Sequence, residues 1–138
     1  MYLLDTNVVS ELRKIDTGAA HPHVRSWAKG LDAKSTFLSV ITVLELEQGI
    51  LLMERRDPRQ GAMLRAWMEN LVLPDFAGRI LPVDLPVARK CAALHVPDPL
   101  EDRDSLIAAT ALVHGMTVVT RNTAHFQRTG VPLLNPWQ

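Results

Sequence analysis

Short apolar runs alternate along the chain with stretches in which apolar residues return every three or four positions. Tyr2–Leu4, Phe37–Val40, Ile80–Val83, Thr117–Val119 and Val131–Leu134 are brief and bounded by polar or turn residues, the pattern of buried strands. Between them Val24, Trp27, Ala28 and Leu31 fall at i, i+3, i+4 and i+7, as do Leu64, Trp67, Met68 and Leu71, and each set predicts an amphipathic helix. A further helix is predicted from Ser39 to about Arg56, and another over Arg103–His114, closed by Gly115. Strands separated by helices of this length imply right-handed crossovers and a mainly parallel sheet covered on both faces. The expected architecture is a three-layer α/β/α fold.

A length of 138 residues fits one domain spanning 1–138. No apolar run exceeds four residues, far short of a membrane span, and Asp5 interrupts the N-terminal run at once, so no signal segment is expected. These features predict a cytoplasmic protein with no membrane partner. Cys91 is the only cysteine, which excludes an intrachain disulfide and a thiolate metal cluster and predicts a small buried hydrophobe on a helix. The 15 basic and 15 acidic side chains cancel, and they do so within each half of the chain, so no charged tail exists.

A parallel sheet binds ligands outside the carboxyl ends of its strands, where the strand order reverses. Asp5-Thr6-Asn7 follows the first predicted strand, Ser39 to Glu45 the second, and Thr120-Arg121-Asn122 the strand near the end; Asp104 lies in the first turn of its helix. Each acid also has a purely structural reading. Thr42 and Glu45 fit a capping box, Asp104 complements the positive end of a helix, and Asp5 could cap the helix that follows, although Thr6 could supply that cap alone. Taken together, Asp5, Glu45 and Asp104 are expected on one rim, where they would repel unless a cation intervened. Carboxylate oxygens without thiolates or paired histidines suit Mg²⁺, with Mn²⁺ as a substitute, and such ions assist phosphodiester hydrolysis. His21, His23, His95, His114 and His125 form no H-E-x-x-H pair, His21 and His23 are expected to be solvated in a turn around Pro22, and no Walker or dinucleotide loop occurs.

Leu3-Leu4-Asp5-Thr6-Asn7, Thr42 to Gly49, Asp104 to Ala111, and Thr120-Arg121-Asn122 through Leu133-Leu134-Asn135-Pro136-Trp137 together resemble a PIN-domain ribonuclease of the VapC/FitB-like toxin branch of type II toxin–antitoxin systems. The resemblance runs in register over essentially the whole chain. It implies a Mg²⁺-dependent endoribonuclease, a homodimer restrained by a cognate antitoxin. Asp5 and Asp104 would be metal ligands, and Glu45 would complete the acidic site and help to position a water. Thr6, Asn7, Thr120 and Asn122 match the polar residues that orient the acids. Asp84, Glu101 and Asp102 do not match the family acids. Many relatives carry a fourth acid a few positions after Thr-Arg-Asn, where this chain has His125; with one carboxylate fewer, the site would hold a second ion only with RNA phosphate present. His125 could contact that phosphate or be a plain surface residue, and it stays outside the candidate set. Arg13-Lys14, Arg55-Arg56 with Arg59, and Arg121 with Arg128 are candidate RNA contacts or simply a solvated face. The competing reading is a catalytically weak or inactive module that binds antitoxin or RNA without productive metal.

Overall fold

The computed structural model describes Met1–Gln138. In chain order the elements are β1 (Tyr2–Leu4), α1 (Thr6–Leu12), α2 (Pro22–Lys29), β2 (Thr36–Ser39), α3 (Val40–Arg56), α4 (Pro58–Trp67), α5 (Leu73–Asp75), β3 (Ile80–Leu81), α6 (Leu85–Leu94), α7 (Asp102–His114), β4 (Thr117–Val119) and β5 (Leu133–Leu134). All strand pairs are parallel, in the order β3-β2-β1-β4-β5. The chain therefore builds outward from β1 through β2 to β3 and then returns to place β4 on the other side of β1. The reversal lies between β1 and β4, so Asp5 and Thr120, the residues just past these strands, flank the place where such sheets bind ligands.

The period of two along each strand separates the core into two layers. Leu3 and Val118 stand opposite each other and pack with Ile107, Ala108 and Ala111 of α7 on one face. Leu4 and Val119 point the other way, onto Val8 and Val9 of α1 and Leu46 and Ile50 of α3. Leu3, Leu4, Val118 and Val119 are at most 1% exposed, and each such side chain contributes roughly 1.5–3 kcal/mol relative to an exposed position. The small residues Ala108 and Ala111 let the backbone of α7 lie close to the sheet. Gly115 closes that helix in the left-handed conformation at φ 66°.

The expected strands are present, but three are shorter at their ends. Val40 joins α3 because the Ser39 hydroxyl accepts the Ile41 N–H at 3.0 Å and starts the helix there. Val83 and Val131 lie outside β3 and β5. Leu71 departs from its predicted stripe. Between α4 and α5, residues Met68–Val72 form a π turn, whose wider repeat rotates Leu71 outward to 50% exposure and brings Val72 into the core in its place. No helix is long and apolar enough to cross a membrane.

Candidate active site

Asp5 leaves β1 at the reversal point and is 6% exposed. Its N–H donates to Val119 O at 2.9 Å, which ties it to β4. One carboxylate oxygen accepts the Thr6 N–H at 2.8 Å; the other accepts the Thr120 hydroxyl at 2.8 Å and Asn7 Nδ2 at 3.3 Å. The structural reading of Asp5 as a helix cap is thus correct, yet it leaves the group oriented toward the rim. The expectation that Thr6 alone could cap α1 is not met, because the Thr6 hydroxyl is committed elsewhere: it donates to Glu45 Oε1 at 2.7 Å.

That same bond removes the capping-box reading of Glu45. Ser39 is the N-cap of α3, while Thr42 lies inside the helix, fully buried, with a hydroxyl that has no partner. Glu45 is therefore free to face Asp5 across Thr6. Asp104 sits in the first turn of α7, as expected, and sees both other acids. Burial, the largest effect, raises the pKa of Asp5 against the lowering by Thr120 and Thr6, and Glu45 raises it further. Asp104 is also pushed up, first by burial and then by the charge on Asp5, with smaller contributions from Glu101 and Glu45 and an opposing one from His125.

The polar residues fall partly as predicted. Thr6, Asn7 and Thr120 hold the acids directly, but Asn122 does so through its backbone: its N–H donates to the Thr120 hydroxyl at 3.0 Å, which frees that hydroxyl's proton for Asp5. Two basic side chains complete the rim. Arg103 Nη1 lies 3.7 Å from Glu45 Oε2 and donates to Gln48 Oε1 at 3.0 Å, and His125 Nδ1 lies 3.5 Å from Asp104 Oδ2. Arg103 escaped the sequence reading, although its place beside Asp104 in the first turn of α7 was a usable signal. His125 proves to be adjacent to the acids. Asp84 and Glu101 serve as N-caps of α6 and α7, and Asp102 opens α7. His21 is not merely solvated: its ring caps α2 by accepting the His23 N–H at 3.1 Å. Cys91 lies on α6, half-buried, with its thiol 3.5 Å from the Ser105 hydroxyl.

The donor set fits a hard divalent cation in part. The acids are oxygen donors, and the charge on Glu45 pushes Asp5 up while those on Asp5 and Glu45 push Asp104 up, a conflict that a cation relieves. No three His, Cys, Asp or Glu side chains close into a ready-made cage, so the expected convergence is electrostatic rather than a finished coordination shell. This suits an ion that retains several waters better than one demanding full protein coordination.

A model of the PIN domain matches residues 2–132. The chain belongs to the PIN domain family. It is 38% identical to the VapC ribonuclease Y4jK of Sinorhizobium fredii over 143 residues, covering 100% of this chain and 99% of that protein. It is 39% identical to the toxin FitB of Neisseria gonorrhoeae over 143 residues, covering 99% of each. The crystal structure of FitAcB from Neisseria gonorrhoeae superposes with a TM-score of 0.90 at 38% identity, covering 100% of this chain and 99% of the other. The PIN domain described here has the expected parallel sheet and places His125, rather than a fourth carboxylate, beside Asp104.

Proposed function

We propose that this PIN domain is the toxin of a type II toxin–antitoxin pair, a metal-dependent endoribonuclease that hydrolyses RNA phosphodiester bonds, with Mg²⁺ as its ion and Mn²⁺ able to replace it. The observation that carries the site assignment is the pair Asp5 and Asp104, two carboxylates at the reversal point whose pKa values are raised by burial and by neighbouring acids. Asp5 and Asp104 would hold the cation, and Glu45 would complete the site directly or through a water. A divalent cation bound there would supply positive charge for phosphate oxygens and lower the pKa of a bound water. Thr120 and Asn7 orient Asp5, and Thr6 orients Glu45, so that their oxygens stay turned to the rim. The partners in this reading are RNA, a cognate antitoxin and a second copy of the chain, each chain a single domain working in the cytoplasm.

The test uses the chain purified free of antitoxin, beside Asp5→Asn and Asp104→Asn. Mg²⁺-dependent RNA cleavage by the wild type and its loss in both variants supports the assignment; equal cleavage by all three overturns it. The presence of His125 beside Asp104, at the place of a fourth acid, favours a second reading, a module that binds without productive metal. Titration calorimetry with Mn²⁺ separates the two, since binding that depends on the acids, with or without RNA, excludes the inert module.

A further inference from the structure

Arg121 follows Thr120 at the rim, and its backbone is fixed from two sides. Its N–H donates to Asn7 Oδ1 at 3.2 Å, and its carbonyl accepts Asn135 Nδ2 at 3.5 Å. The side chain runs over Trp137, with the guanidinium carbon 5.3 Å from the ring centroid. The backbone that carries that indole is itself held in place. The Trp137 N–H donates to Asn135 Oδ1 at 2.9 Å, and the Trp137 carbonyl lies 2.8 Å from His23 Nδ1. Arg121 is thus an exposed cation whose aromatic partner is anchored to the body of the fold.

Its charge is unused within the protein. Arg65 is committed to glutamates, Arg103 to Glu45 and Gln48, Arg128 to Asp98, and Arg79 to backbone carbonyls; the Arg121 guanidinium, like that of Arg13 over Trp67, has neither a carboxylate nor a carbonyl partner, and of these two Arg121 is the one that follows Thr120 at the rim. The cation–π contact with Trp137 leaves the N–H groups of the guanidinium without a partner. Those groups form a fork matched to two oxygens of one phosphate. Asn7 links it to the acids: the side chain that accepts the Arg121 N–H also donates to Asp5 Oδ2.

Resting on the ribonuclease reading above, we infer that Arg121, braced on Trp137, clamps a backbone phosphate of the RNA strand next to the one that is cleaved. Arg121 is a positioning residue: it sets where the strand lies relative to Asp5 and Asp104 and takes no part in the chemistry. A phosphate is favoured over a base edge because the unpartnered N–H fork matches two oxygens of one phosphate, a contact that grips the strand without regard to sequence. Pre-stacking also lowers the entropy lost when the long side chain is fixed by its ligand.

Two measurements on the antitoxin-free chain test this. In the first, a fluorescent single-stranded RNA of mixed sequence is titrated in EDTA at several salt concentrations, for the wild type and for Arg121→Gln. Loss of one phosphate contact lowers the slope of log K against log salt by about 0.7 and weakens binding roughly tenfold at low salt. In the second, steady-state cleavage with Mg²⁺ is compared. Arg121→Gln raises KM with kcat within about twofold of wild type, since only binding shared by ground and transition states is lost, and Arg121→Lys recovers part of the affinity. An unchanged salt slope in EDTA overturns the clamp whether or not the wild type cleaves RNA. A wild type that binds with the steeper slope but cleaves nothing overturns the ribonuclease reading and leaves the clamp standing. If Arg121→Gln binds and cleaves RNA as the wild type does but loses affinity for an acidic antitoxin segment, the fork serves a protein carboxylate and the inference fails. The side chain is exposed and makes no hydrogen bond within the fold, so an unchanged Tm separates this role from a structural one.

Discussion

Helix α3 takes part in two clusters of carboxylates that are built on opposite electrostatic plans. Glu45 and Glu47 lie two residues apart, about 200° around the helix, so they face different neighbours. On one side, Glu47 meets Arg65 of α4 in a bidentate pair at 2.8 and 2.5 Å, and the same guanidinium reaches Glu54 at 3.1 Å and Glu69 at 3.5 Å. The hydrogen bonds from Arg65 hold Glu47 below the ordinary glutamate value. On the other side, Glu45 joins Asp5 and Asp104, and both aspartates are pushed upward. Arg103 and His125 reach only the outer members at 3.7 and 3.5 Å, and no cation meets Asp5. Three carboxylates around an internal cation hold two helices together. Three carboxylates whose innermost member meets no cation form, on the function proposed above, a place for an external one.

The strongest way to break this contrast is to remove an acid from each cluster. Asp5→Asn and Asp104→Asn are expected to cut RNA cleavage by more than about 100-fold, beyond the range typical of residues that merely support metal ligands. Glu47→Gln, two residues from Glu45, should cleave as the wild type does while its Tm falls. A Glu47→Gln protein that lost activity as severely as Asp104→Asn would erase the distinction between the clusters. The next effect is thermodynamic: Mg²⁺ at about 100 times its Kd should stabilise the wild type by about 2.7 kcal/mol. The gain should persist in Glu47→Gln and vanish in Asp104→Asn, as read by the Tm shift with and without EDTA.

Much of this contrast was legible in the sequence. Alternating strand and helix periods give the layers, and the rule for parallel sheets places Asp5, Glu45 and Thr120 at the carboxyl edge; that the reversal lies between Asp5 and Thr120 comes from the observed strand order. What periodicity could not settle was the destination of individual polar atoms. The segment Thr42 to Glu45 satisfies a capping pattern, but the helix begins one turn earlier, capped by Ser39 in agreement with its predicted span, which leaves Thr42 inside it. Leu71 fits a stripe with Trp67 and Met68 until a π turn changes the repeat, which depends on how α4 meets α5. Arg103 sits beside Asp104 and His125 at the place of a fourth acid, both visible in the sequence, but their contacts with Glu45 and Asp104 cross between elements and are not read from local spacing. The Arg65 cluster likewise depends on how α3 and α4 cross.

That crossing supplies a third test. Gly61 lies so close to α3 that a Cβ there would stand 2.4 Å from Glu54 Cα and 2.6 Å from its backbone nitrogen. Alanine would favour the helix by about 1 kcal/mol in isolation, but the obstructing atoms are backbone and cannot swing away. Gly61→Ala should therefore destabilise the chain by about 1–3 kcal/mol through overpacking, measured by urea unfolding, and should loosen Arg65 from its glutamates. RNA cleavage at a temperature where the variant stays folded should be unchanged, because α3 still presents Glu45 on its other side. A variant as stable as wild type would show that the two helices do not pack as tightly as Gly61 indicates.

The smallest effect, and the sharpest in sign, is the dependence of stability on pH. A carboxyl whose pKa rises on folding binds protons more readily in the folded chain. Its contribution is fully present below the unfolded value, 3.8 for aspartate, and is lost as pH rises through the raised folded value. Without metal, Asp5 and Asp104 thus make the fold less stable as pH climbs toward neutrality. Glu47 behaves oppositely: its contribution is present above the unfolded value of 4.5 and is lost as pH falls through the lowered folded value. Urea midpoints measured in EDTA between about pH 3 and pH 7 should place Asp104→Asn above the wild type near neutrality and level with it in acid. Glu47→Gln should lie below the wild type near neutrality and approach it in acid. Adding Mg²⁺ should cancel the advantage of Asp104→Asn and leave the Glu47→Gln deficit intact, because only one of the two clusters lacks its cation. Curves that ran parallel for both variants would mean that the acids at the reversal point are no more strained than those around Arg65.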